Sequence, residues 1–194
     1  SAIYLAPCSL YLGDFRLARE AVNKGFLALT AIPDETGGEA ALSMAQAMTA
    51  LFEGNFTEAQ ESIDRCRGLA HAYDLEAFDF LSLNIGGWLK IASGDHEAAQ
   101  VLLGDCKRKG REMENSFFTT SAGHLLSISE LHQGRLDAAL AECTAALTVR
   151  ARSGSRLFYA VSLAARGVIH TRLGKFAQAE QDLSQALRVF RRIG

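Results

Sequence analysis

Apolar and polar positions follow one another along this chain with a helical period, and a glycine interrupts that period at regular intervals. The stretches YLGDFRLAREAV, LFEGNFTEAQESI, IASGDHEAAQVLL, LHQGRLDAALAEC and TRLGKFAQAEQDL share one construction. Their glycines, Gly13, Gly54, Gly94, Gly134 and Gly174, are spaced by 41, 40, 40 and 40 residues. Five residues after each glycine stands Ala18, Ala59, Ala99, Ala139 or Ala179, and seven before it a small residue: Ala6, Ala47, Gly87, Ser127 or Gly167. Small residues at fixed points on successive helices let their axes approach closely, so each glycine predicts a turn between two antiparallel helices.

The pattern predicts ten helices, over residues 3–12, 15–31, 37–53, 56–72, 75–93, 96–112, 116–133, 136–151, 155–173 and 176–192. Asp14, Asn55 and Asp95 are placed to cap the second helix of their hairpins. Second helices are expected to end near Asp74, Asn115 and Gly154, with Asn and Gly taking a left-handed C-cap and Ser116 and Ser155 capping the helix that follows. The residue two after each glycine (Phe15, Phe56, His96, Leu136 or Phe176) is expected to pack back into its own hairpin. Nine after the glycine come Val22, Ile63, Leu103, Cys143 and Leu183, and twelve after come Gly25, Cys66, Cys106, Ala146 and Ala186, a packing seam where cysteine replaces alanine. The expected fold is all-α: one domain, a right-handed α-solenoid of five hairpins (1–33, 34–73, 74–113, 114–153 and 154–194).

Glycine, ring two residues on, alanine five on and small residue seven before together resemble a tetratricopeptide repeat over essentially the whole chain. The period is longer than the usual 34 or so, which lengthens the helices. Repeats of this length, with a junction such as RARSGSRLFYAVSLAARG, resemble those of MalT-like regulators of the LuxR class. They are also similar to repeats of kinesin light chains and peptide-sensing bacterial regulators. The resemblance implies a non-catalytic interaction or sensing scaffold within a multidomain bacterial signalling or transcription regulator. Its alternatives are a small-molecule effector sensor and a stand-alone adaptor.

Partners of such repeats usually lie against the first helix of each hairpin. Matched by offset from the glycine, those positions here are Met44, Met48, Phe52, Asn84, Trp88, His124, Ile128, His132 and Arg172, with Ala164 and Val168 beside them. The row is largely apolar and lacks the Lys, Asn and Arg set that grips an acidic carboxyl terminus. It suits an amphipathic helix or hydrophobic peptide from a protein partner or another domain of the same chain. The competing reading packs these apolar residues between helices.

Composition changes this picture little. Two prolines and abundant helix formers agree with an all-α chain. Four widely spaced cysteines without a CxxC pair read as reduced thiols, and the uncharged runs are too short to span a bilayer, so a cytoplasmic protein without membrane contact is expected. An opening Ser-Ala without Met and an end directly after RVFRRIG predict an excised part of a larger protein. Charge is uneven: residues 148–194 carry nine Lys or Arg against Glu180 and Asp182, whereas residues 1–147 carry 11 basic and 20 acidic residues. Cations near the ends of second helices favour the helix dipole, so direct nucleic-acid binding is not expected.

No catalytic motif is present. GVIHTRLGKF has six residues between its glycines where a phosphate loop has four, and Phe176 where that loop needs Ser or Thr. His124 and His132 share a helix but lie two turns apart, roughly 12 Å, too far to hold one ion. The sequon at Asn55 falls in a repeat turn. The expectation is no enzyme, cofactor or metal.

Overall fold

The computed structural model describes residues 5–6, 9–10, 13–32, 36–151 and 156–193. Among the described residues there are nine helices and no strand, an all-α helical-repeat fold. Of the expected first helix, residues 5–6 and 9–10 are described and helical; Cys8, Pro33, Gly154 and Ser155 lie outside the described residues. The chain forms two compact units, residues 1–93 and 94–194.

The first unit contains α1 (Phe15–Leu29), α2 (Thr36–Glu53), α3 (Phe56–Ala72) and α4 (Glu76–Ala92). Its core joins Ala47, Ala50 and Leu51 of α2, Ala59, Ile63 and Cys66 of α3, and Ile85 and Leu89 of α4. A second cluster places Val22 of α1 with Ala45 of α2. The turn at Gly54 shows why a glycine stands there. Its φ is 77°, and this reversal lets the Asn55 N–H donate to the Ala50 carbonyl at 2.8 Å and the Gly54 N–H to Leu51 at 3.1 Å. The next helix is capped at once, because Asn55 Oδ1 accepts from the Glu58 N–H at 3.3 Å. Across the helices, Arg19 of α1 pairs with Glu53 at the end of α2 and Glu58 of α3. That guanidinium holds the Glu58 carboxyl below the usual carboxylate range.

The second unit contains α5 (His96–Glu112), α6 (Ser116–His132), α7 (Leu136–Arg150), α8 (Arg156–Arg172) and α9 (Phe176–Ile193). Asp95 caps α5 as expected, its Oδ1 accepting from the Ala98 N–H at 3.1 Å. The next junction differs from expectation by one residue. Glu114, not Asn115, takes the left-handed conformation, with φ 53°. Asn115 instead caps α6 by accepting from the Phe118 N–H at 3.2 Å, and Ser116 is the first helical residue. The shift has a physical reason: the Asn115 N–H closes the end of α5 on the Gly110 carbonyl at 2.8 Å, so one asparagine completes one helix and opens the next. Glu114 therefore carries a conformation that suits glycine. Glu114→Gly is expected to raise stability by about 0.5–1 kcal/mol, as relief of strain outweighs the added freedom of the unfolded chain, and urea denaturation followed by circular dichroism measures it.

The repeat positions behave alike in burial. The alanines five after the glycine are 0–4% exposed, and the small residues seven before it are all buried. At the seam nine residues after, Val22, Ile63, Leu103 and Cys143 are buried, but Leu183 is 40% exposed, because among the described helices α9 packs against α8 alone. Cys66, Cys106 and Cys143 are buried and form no disulfide, and burial pushes the Cys143 thiol up to about 11. No helix among the described residues is long and apolar enough to cross a membrane.

Candidate partner-binding surface

The proposed row separates into three depths according to distance from the turn glycine. Ten residues before it, Met44, Asn84 and His124 are buried at 4%, 7% and 9% exposure. Six before it, Met48, Trp88 and Ile128 are half-buried, and two before it, Phe52, His132 and Arg172 are exposed. Ala164 is half-buried and Val168 exposed. Along this row exposure rises toward the carboxyl end of the first helix.

In the first unit the available side chains form a continuous run of rings. Phe15 stacks on Phe52 with centroids 6.1 Å apart, and Phe52 meets Trp88 edge-on at 5.1 Å. Met48 and Trp88 rest on the apolar core beneath, which fixes the inner end of the run. Phe15 and Phe52 keep 40% and 37% of their surface exposed. Of the residues expected to pack back into their hairpins, Phe15 reaches the end of α2, while His96 and Leu136 are half-buried. Phe56 and Phe176 are exposed as well.

The second unit repeats the arrangement with different chemistry. His96 and His132 hold the same two places, two after one glycine and two before the next, with centroids 5.7 Å apart. The offsets themselves carried the signal for Phe15 and His96, which lie on second helices and so fell outside a row drawn on first helices alone.

Deeper in this unit, His124 is buried beside Arg150, and its Nδ1 finds no hydrogen-bond partner among the described residues. Loss of solvation, with the nearby guanidinium adding to it, holds His124 down to about 4, so it is neutral at neutral pH. Arg150 Nη1 donates to Ser162 Oγ at 2.6 Å and to the Phe158 carbonyl at 3.2 Å, and its guanidinium lies 5.3 Å from the Phe158 ring centre. These two residues belong to the interior of the unit.

The tetratricopeptide repeat family model matches residues 119–192. That match lies within the second unit. The tetratricopeptide-like arrangement recurs in solved structures that cover nearly all of the chain. BtubC (BKLC) from P. vanneervenii is 17% identical, with a TM-score of 0.71 over 97% of this chain and 78% of that one. The apo form of RapI is 12% identical, with a TM-score of 0.73 over 98% and 69%. A putative kinesin light chain with nearly identical tetratricopeptide-like repeats, from Podosopora anserina, is 15% identical, with a TM-score of 0.65 over 97% and 92%. No curated protein matches the sequence. At these identities the likeness is one of fold.

Proposed function

We propose that the chain is a non-catalytic scaffold that binds an apolar face of a partner protein, an amphipathic helix or hydrophobic segment, along Phe15, Phe52 and Trp88. The observation that supports this reading is the exposed ring run of the first unit, anchored by Met48 and Trp88 on the core and open at Phe52 and Phe15. Rigid rings offer contact area at small entropic cost, and the adaptable thioether of Met48 lets the inner end adjust to its ligand. Trp88, the single tryptophan, reports occupancy by its own fluorescence. Peptides selected from a library against the purified chain are expected to shift that emission, and Phe52→Glu is expected to weaken them at least tenfold while the circular dichroism spectrum stays unchanged. Selected peptides that bind Phe52→Glu as well as the original chain would overturn the assignment.

The finer placement, as the repeat region of a MalT-like bacterial signalling or transcription regulator, is supported by the 40-residue repeat length. The surrounding reading frame tests it. A helix-turn-helix domain beyond the array agrees with the placement, and a frame that closes within one capping helix overturns it in favour of a stand-alone adaptor.

A further inference from the structure

We propose that His96 and His132 form a two-imidazole site for a divalent transition ion of the copper(II), nickel(II) and zinc(II) class. His96 opens α5 and His132 closes α6, so the antiparallel pair brings together two residues 36 apart in sequence. Their ring centroids are 5.7 Å apart and the rings are nearly perpendicular, at 85°. A nitrogen-to-metal bond of about 2.0–2.1 Å and a ring radius of about 1.1 Å put the centroids of two imidazoles on one ion about 4.5–6.4 Å apart, according to the angle at the metal. The observed pair falls inside that span. Imidazole nitrogen is also the donor that this class of ion favours.

The surroundings of His96 supply what a ligating histidine needs. Its Nδ1 lies 3.3 Å from the hydroxyl of Ser129, one turn before His132 on the same helix. Of the two tautomers, the one protonated at Nδ1 donates to Ser129 Oγ and leaves the Nε2 lone pair for a metal. Ser129 is itself fully buried and held by Gln133, whose Nε2 donates to Ser129 Oγ at 3.2 Å. Arg135 in turn donates to Gln133 Oε1 at 2.5 Å, which fixes the orientation of that amide. His132 is exposed, so an ion can reach the pair from solvent. The positive end of α5 opposes a cation, but Asp95 and Glu97 stand beside it and the carbonyl end of α6 faces the same place.

Among the described residues no group of three or more His, Cys, Asp or Glu is placed to hold a metal. Two imidazoles therefore share the ion with water, which makes an open, exchangeable site rather than a closed structural one. The first unit explains how such a site arises within a repeat. Phe15 and Phe52 occupy the same two positions and give ring contact alone. Two histidines keep the ring contact and add two donors.

That equivalence also defines the test. Untagged chain freed of metal by a chelator is titrated calorimetrically with nickel(II), zinc(II) and copper(II) in separate experiments, and the histidine ring signals are followed by nuclear magnetic resonance. His96→Phe and His132→Phe place the ring type of the first unit at these positions and remove the donor nitrogens. One equivalent of metal is expected to bind, most tightly for copper, perturbing the His96 and His132 rings before the other three. Either phenylalanine variant is expected to weaken binding at least tenfold, whereas His71→Phe leaves it unchanged. In the original chain the melting temperature is expected to rise with metal concentration, as it does for any ligand specific to the folded state. Binding that survives in both phenylalanine variants would overturn the site, and so would the absence of binding up to millimolar metal.

Discussion

Asp182→Ala is expected to cost about 3–5 kcal/mol and to melt the α8–α9 hairpin before the rest of the second unit. Asp182 is 3% exposed, and its two carboxylate oxygens accept from Arg166 at 2.8 Å and 2.6 Å. Its Oδ2 also lies 3.1 Å from Nδ1 of the buried His170. Removing the carboxylate takes from the half-buried Arg166 guanidinium the group that accepts both of these hydrogen bonds, and a charge withdrawn from water without its partner is the expensive case. The location of the loss follows from packing: among the described helices α9 packs on α8 alone, so the terminal hairpin is the least supported part of the unit. Hydrogen exchange resolved by peptide should show lost protection over residues 156–193 and retained protection over α5 and α6. The double variant Arg166→Met, Asp182→Leu should recover most of the loss, because an apolar pair of similar volume needs no solvation. If the single variant melts as the original chain does, the pair is not a determinant of the fold.

Acidification is expected to weaken the second unit through His124. Burial holds its folded-state value at about 4, against about 6.5 in the unfolded chain. Between those values the unfolded chain binds the extra proton, so the contribution is complete above about pH 6.5 and is lost progressively as the pH falls toward about 4. The full loss is on the order of 3 kcal/mol. His124→Leu removes the titrating group from a site of 9% exposure, so the difference in urea stability between the two proteins should shrink or reverse on going from pH 7 to pH 4.5. A constant difference across that range would show that His124 does not titrate between the two states.

Much of the architecture was legible because it is written in one residue type at one spacing. A glycine at φ 71–81° has few substitutes, and an alanine beneath a crossing helix has fewer, so both recur in every copy. The caps Asp14, Asn55 and Asp95 were legible for the same local reason. The surface was harder. Offsets from the glycine place Met44, Asn84 and His124 on the same stripe as Phe52 and His132, but burial depends on how closely the adjoining helix follows, which the stripe does not encode. The partners of Phe52 and His132 sit on a preceding second helix, and only the three-dimensional stack brings Phe15 and His96 to them. The displaced left-handed residue at Glu114 was hidden because glutamate carries no preference for that conformation.

Within each unit, helices touch mainly their neighbours in the chain, with α2 meeting α4 and α6 meeting α8 as the longest reaches. Ordering any one hairpin therefore closes only short loops, the entropic barrier to each step is small, and formation is expected to be fast for a chain of this length. During synthesis α2 and α3 can pair through the Gly54 turn as soon as both have emerged, so buried apolar faces such as that of Ile63 wait only for the next helix rather than for the whole chain.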